Sequence, residues 1–189
     1  LVAKAENVGR VESARILGGE HSKIRPSLSS KGRKKLLSGC IPKTREWEQE
    51  SWQKETQTLI EQAEHLLSSP DGLAGRQYLT ARGLDPQTWT RFRLGFDPAK
   101  FDPGTKSKRP AIVLPWVDGA GTFTAVKYRF IDELAQTDKG RRFIQRKGSE
   151  CLLFGFLGRS EAFTRVLIVE GEFNALALAQ AYPDALVLS

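Results

Sequence analysis

The chain has 189 residues, 40% hydrophobic and 27% charged, and a net charge of +7 at pH 7. That size and balance fit one or two domains with a packed core and exclude a chain disordered throughout. No apolar run reaches the roughly 18 residues of a membrane span. The opening Leu1-Val2-Ala3-Lys4-Ala5-Glu6 lacks the apolar core of a secretory signal. Two cysteines, Cys40 and Cys151, exclude a disulfide-rich secreted scaffold and fit a reducing, cytoplasmic setting. His21 and His65 cannot complete a zinc site with them at any recognised spacing. The chain starts with Leu and contains no Met, so it reads as an internal piece of a longer protein.

In chain order, residues 1–19 read as two short helices, with Val11, Ala14, Ile16 and Leu17 as an apolar face and Gly18-Gly19 as a stop. Residues 20–45 read as a basic linker. Eight basic residues and no acid lie between His21 and Arg45, among serines, glycines and prolines. Two readings stand for it, a solvated tether and a tether that also touches phosphates. The sign of the charge then flips, with six Glu and one Lys between Glu46 and Glu64. Residues 46–69 read as a long helix whose early acids suit the positive helix N-terminus. A second helix is expected over 73–81, and a third begins at Asp85-Pro86, an N-cap followed by proline at the first helical position.

Strand signals follow. Residues 93–96 read as a short strand, 106–110 as a loop, and 111–117 as an apolar strand. A glycine turn over 118–121 and a strand over 122–131 complete a hairpin. Further short strands are expected over 141–145 and 152–154. A strand over 166–169, a helix over 173–181 and a strand over 185–188 make a βαβ unit, hence the start of a parallel sheet.

Two constellations carry chemistry. Glu170 follows the first strand of the βαβ unit, and ligands of parallel sheets gather at the carboxyl ends of strands. A carboxylate there suits Mg²⁺ or Mn²⁺ with phosphates in company, although a lone Glu at a strand end is more often structural. The second constellation is basic. Lys127 and Arg129 share a sheet face by parity, and Arg141, Arg142, Arg146 and Lys147 crowd the next segment. Like charges on neighbouring strands repel, and a polyanion would relieve the cost. Asp132, Glu133, Asp138 and Glu150 are the acids near enough in sequence to compete.

Several segments resemble the catalytic core of DnaG-type bacterial primases. They are Tyr78-Leu79-Thr80-Ala81-Arg82-Gly83-Leu84, Arg91-Phe92-Arg93-Leu94-Gly95-Phe96, and Ala111-Ile112-Val113-Leu114-Pro115-Trp116-Val117-Asp118 followed by Val126-Lys127-Tyr128-Arg129. Arg142-Phe143-Ile144-Gln145 is similar to the family's Lys-Tyr-Leu-Asn segment, and Leu153-Phe154-Gly155 to its Leu-Tyr-Gly. Val169-Glu170-Gly171-Glu172 resembles the first motif of the TOPRIM fold. Residues 1–19 are similar to the helical end of the primase zinc-binding domain. The family often carries Asp four residues after the motif glutamate, where this chain has Asn174, and Glu172 is similar to the variant of phage and plasmid primase-helicases.

The resemblance implies an α+β chain. Its parts would be the tail of a zinc domain (1–19), a basic linker (20–45), a primase-core N-terminal subdomain of helices and a small antiparallel sheet (46–164), and the first βαβ of a TOPRIM-like fold (165–189). For the longer protein it implies RNA-primer synthesis on single-stranded DNA by metal-dependent nucleotidyl transfer, with NTPs and a replicative helicase as partners. Zn²⁺ would sit in an upstream domain and Mg²⁺ or Mn²⁺ at Glu170, with Glu172 a second candidate ligand. Arg129, Lys127, Arg142, Lys147 and Arg82 would hold template or nucleotide. Three rivals stand beside this reading: a non-catalytic single-strand-binding or helicase-docking module, another TOPRIM enzyme such as a topoisomerase or nuclease, and a plain α+β domain with a basic surface. A topoisomerase needs a tyrosine nucleophile, and Tyr78, Tyr128 and Tyr182 all fall in segments that read as core.

Overall fold

A run such as Ala111-Ile112-Val113-Leu114-Pro115-Trp116-Val117 is apolar at every position, and a strand of that kind needs cover on both faces. The computed structural model, which describes residues 45–159 and 163–189, provides it. All seven residues are buried, in the middle of a four-stranded antiparallel meander. The strands are β1 (Gly95–Asp102), β2 (Ser107–Val117), β3 (Phe123–Phe130) and β4 (Phe143–Gln145), ordered β1-β2-β3-β4. The helices of both the 1–19 tail and the 20–45 linker reading lie, Arg45 apart, outside the described residues.

Two apolar layers sandwich this sheet. On one face Ala111, Val113 and Val117 of β2 meet Trp52, Ile60 and Ala63 of helix α1 (Glu50–Ser68). On the other, Ile112, Leu114 and Trp116 meet α2 (Leu73–Ala81) through Leu79 and α3 (Pro86–Arg91) through Trp89. That second layer continues into the βαβ unit. There β5 (Arg165–Ile168) and β6 (Ala185–Leu188) pair in parallel across helix α5 (Glu172–Ala181), whose Ala175, Leu176 and Ala179 join the same cluster. The segments 46–164 and 165–189 therefore share one core.

Polar groups tie α5 down as well. The Gln180 amide accepts from the Asp85 N–H at 2.9 Å and the Thr88 hydroxyl at 3.0 Å, and donates to the Gly83 carbonyl at 3.0 Å. Arg91 donates to the carbonyls of Ala179 and Gly158. Close approach of α1 to β1 requires Gly95, because a Cβ there would stand 2.7 Å from the Ala63 carbonyl carbon.

Several expectations need correction. Of residues 106–110, Lys106 alone lies in a turn; the rest are strand. Ser107–Arg109 open β2 and pair with β1, which itself runs on to Asp102 rather than stopping at 96. Their charges read as loop, but Arg109 is 3% exposed and ion-paired in the interior. The long first helix is split. A 3-10 turn over Glu46–Glu48 precedes α1, broken by extended backbone at Gln49. Residues 152–154 form no strand; Phe154 alone exchanges both backbone hydrogen bonds with Ser189, at 2.9 and 3.0 Å. A short helix α4 (Glu133–Thr137), capped by the Asp132 carboxylate, fills a stretch for which nothing was expected. Tyr182 is not core, being 41% exposed beneath the Arg165 guanidinium, whereas Tyr128 is fully buried.

Arg109 closes the free end of the meander. Its Nε and Nη2 donate to the two Asp132 oxygens at 2.7 and 2.6 Å, and its Nη1 donates to Asp102 at 2.6 Å and to the Arg141 carbonyl at 3.2 Å. Burial pushes the Asp102 carboxyl up, but hydrogen bonds from Arg109, the Gly104 N–H and Thr105 outweigh it and hold the group below its usual range. Asp132 is also held low, chiefly by Arg109. Both folded-state values thus lie below the unfolded ones. The carboxylates stabilise the fold above about pH 4 and lose that contribution as pH falls through their lowered values.

Urea unfolding should therefore show stability dropping below about pH 4. Arg109→Met should cost about 3 kcal/mol at pH 7, because it leaves buried carboxylate without its counter-charge. It should also flatten the acid limb. Gly95→Ala should cost about 2 kcal/mol by overpacking α1 against β1, read from the urea midpoint.

Candidate nucleic-acid interface

Alternation along β3 sends Lys127 and Arg129 to one face, and the register sets Arg129 opposite Phe143 and Lys127 opposite Gln145. The two cations lie 4.8 and 5.1 Å from the centre of the Phe143 ring. Arg129 is 7% exposed, and its Nε donates to the Tyr78 hydroxyl at 3.2 Å. Arg82, just past the end of α2, donates to the same hydroxyl at 3.1 Å. Its guanidinium lies 5.4 Å from the Tyr78 ring centre and 5.0 Å from that of Phe173, which meets Tyr78 edge-on. Two guanidinium groups thus share one neutral acceptor. Among the described residues neither guanidinium is ion-paired with a carboxylate, so their mutual repulsion favours an anion nearby.

The other cations divide into committed and open. Lys127 is ion-paired with Glu172, which is 7% exposed. Arg146 pairs with Glu55 at 2.7 Å, bonds the Trp52 carbonyl and the Thr56 hydroxyl, and lies over the Trp52 ring, so it fastens the end of β4 to α1. Arg141 lies 3.4 Å from Asp138. Arg142 spends its hydrogen bonds on the carbonyls of Ala135 and Gln136, at 2.9 and 3.4 Å, and among the described residues meets no carboxylate. Lys147 is exposed; its backbone carbonyl accepts from Trp52, and its ammonium has no ion-pair partner among the described residues. Sequence distance hid Glu55 and Glu172 as counter-charges. It also hid Tyr78 and Phe143 as the groups that gather Arg82, Arg129 and Lys127. The four-residue spacing of Tyr78 and Arg82 on a helix was the one available signal for the former.

Glu170 is exposed and stands just beyond the carboxyl end of β5. Gly171 follows with φ +82, a left-handed turn that a side chain resists, and Glu172 opens α5 where the helix dipole favours a carboxylate. The Asn174 amide donates to the Glu170 carbonyl at 2.8 Å, a bond that an aspartate in its place could not make. Cys151 lies close by, its thiol donating to Gln145 at 3.2 Å; burial raises its pKa, with Lys127 opposing and Glu172 adding to the rise. For a divalent metal the donor set is thin. Glu172 already faces the Lys127 ammonium, Glu170 is a single carboxylate, and no group of three or more His, Cys, Asp or Glu able to hold a metal occurs among the described residues. The residues described do not by themselves fit a complete metal site.

Tyr78→Phe tests the shared acceptor. It should cost about 1–2 kcal/mol in urea unfolding, because buried Arg129 loses a hydrogen bond.

No protein-family model matches the chain, and no curated protein does. Solved structures do. One titled as the structure of the DnaG catalytic core is 20% identical, with a TM-score of 0.56, over 71% of this chain and 52% of that one. A DnaG primase catalytic domain bound to single-stranded DNA is 21% identical, with a TM-score of 0.56, over 73% and 54%. The RNA polymerase domain of Mycobacterium tuberculosis primase, in complex with double-stranded DNA, is 19% identical, with a TM-score of 0.54, over 77% and 55%. The chain spans about half the length of these primase domains. It has the mixed helix-and-sheet fold of the DnaG primase catalytic core.

Proposed function

We propose that this chain is the template-holding part of a primase. It binds single-stranded DNA across the face on which Arg82, Arg129 and Lys127 gather, with Arg142 and Lys147 as further cations for the strand, while primer synthesis belongs to the longer protein. The observation that carries the reading is the convergence of Arg82 and Arg129 on the Tyr78 hydroxyl beside the Phe143 ring. The likeness of the fold to DnaG domains solved with DNA supports it. Phosphate binding is favoured where cations stand near one another without acids to neutralise them. Arg82, Lys147 and Arg142 reach the strand; buried Arg129 holds Tyr78 and adds its field.

In the longer protein Glu170 would help hold Mg²⁺ or Mn²⁺ for nucleotidyl transfer or act as a base, with NTPs as substrates, Zn²⁺ in an upstream domain and a replicative helicase as partner. Lys127 would hold Glu172 in place against β3. The rival reading, a module that binds and does no chemistry, describes this chain taken alone.

Binding of a fluorescent single-stranded oligonucleotide should weaken steeply with salt. The double substitution Arg142→Glu and Lys147→Glu should lower affinity by about tenfold at low salt and reduce the salt slope. Affinity equal to that of the parent chain would remove the basic face from the reading. Glu170→Gln should leave this binding unchanged, and in the longer protein it should abolish primer synthesis.

A further inference from the structure

Phe143 is the residue that charge reasoning does not explain. It starts β4, the last strand of the meander, and is 37% exposed. An exposed aromatic on an outer strand invites unwanted association, yet this ring has Arg129 and Lys127 beside it. It also lines a cavity of about 430 Å³ at the end of the sheet, together with Phe130, Ile144, Asp138, Gly140 and Arg141. That volume lies in the range of small-ligand sites. Phe130 and Ile144 make the walls apolar. The Asp138 carboxylate accepts from the Gly140 N–H at 2.9 Å and lies 3.4 Å from the Arg141 guanidinium, so the pair offers an acceptor to a ring N–H of a base and a donor to a base carbonyl. An aromatic ring next to cations, opening on an apolar cleft with a polar edge, supplies the two parts of single-strand recognition: a stacking surface for the base and charge for the backbone.

We infer that Phe143 and this cavity hold one unpaired nucleobase of the strand bound by the basic face. The inference rests on the function proposed above and adds a base-contacting residue to it. The ring stacks on the base, and Asp138 lies at the base's hydrogen-bonding edge. Phosphates on either side of that nucleotide run along Arg82 and Lys147.

The test compares the 189-residue chain with Phe143→Ala, Phe143→Leu and Phe143→Trp. The probes are a fluorescent oligothymidylate, an abasic oligonucleotide of equal length, and free thymidine triphosphate as competitor. Urea midpoints establish that each variant folds. Phe143→Ala and Phe143→Leu should bind oligothymidylate about tenfold more weakly with an unchanged salt slope. They should bind the abasic strand as the parent chain does, and Phe143→Trp should retain full affinity. If both variants bind oligothymidylate like the parent chain, base capture is overturned while the basic face stands. If the parent chain shows no salt-dependent binding to either strand, the proposed function falls and takes the inference with it. If the variants lose only competition by the free triphosphate, the base in the cavity is that of a free nucleotide, and the strand assignment is overturned.

Discussion

A strand that is apolar on both sides cannot rest with one face in water, and the rest of the described fold answers that constraint. β2 is buried from Ala111 to Val117, at a gain of roughly 1.5–3 kcal/mol for each large side chain removed from water. One layer comes from α1, and the other from α2, α3 and α5. The second layer is shared with the βαβ unit. Covering β2 therefore also brings Glu172 to Lys127 and Phe173 to Tyr78. The polar face of the molecule is assembled as a by-product of packing its apolar centre.

Charge does a different job in each region. At the end of the meander, Arg109 is enclosed with Asp102 and Asp132, and the ions hold two strands and the cap of α4 together. Near Tyr78 the cations outnumber nearby acids, and a neutral hydroxyl and aromatic rings keep them apart. The first arrangement neutralises itself, because the buried guanidinium is matched by two carboxylates. The second leaves positive potential at the surface, where a polyanion can reach it.

Most of the elements were legible in the sequence because their signals are local. The 3.6-residue spacing of Trp52, Thr56, Ile60, Ala63 and Leu67, the Asp85-Pro86 start and the Asp118–Gly121 turn all depend on neighbours in the chain. The failures depend on distant partners. Ser107–Arg109 read as loop because the acids that bury Arg109 come from β1 and from the cap of α4. Leu152-Leu153-Phe154 read as a strand because its hydropathy is strand-like, but of the three only Phe154 finds a backbone partner among the described residues. At the site, parity placed Lys127 and Arg129 correctly on one face. Which cations stay un-neutralised was not readable, because Glu55 and Glu172 lie 91 and 45 residues from the groups they pair with.

The mounting of α5 has a mechanical consequence. The helix is pinned near its C-terminal end by Gln180 and Arg91, and at its first residue by Lys127. A rod fixed at both ends cannot swing without breaking one attachment, nor roll without breaking both. Glu170 sits outside the pinned length, across Gly171, whose backbone has the widest freedom of any residue. The Asn174 bond to the Glu170 carbonyl closes that joint, so the backbone beneath the exposed carboxylate is fastened to the beam and only the side chain turns to meet what approaches it.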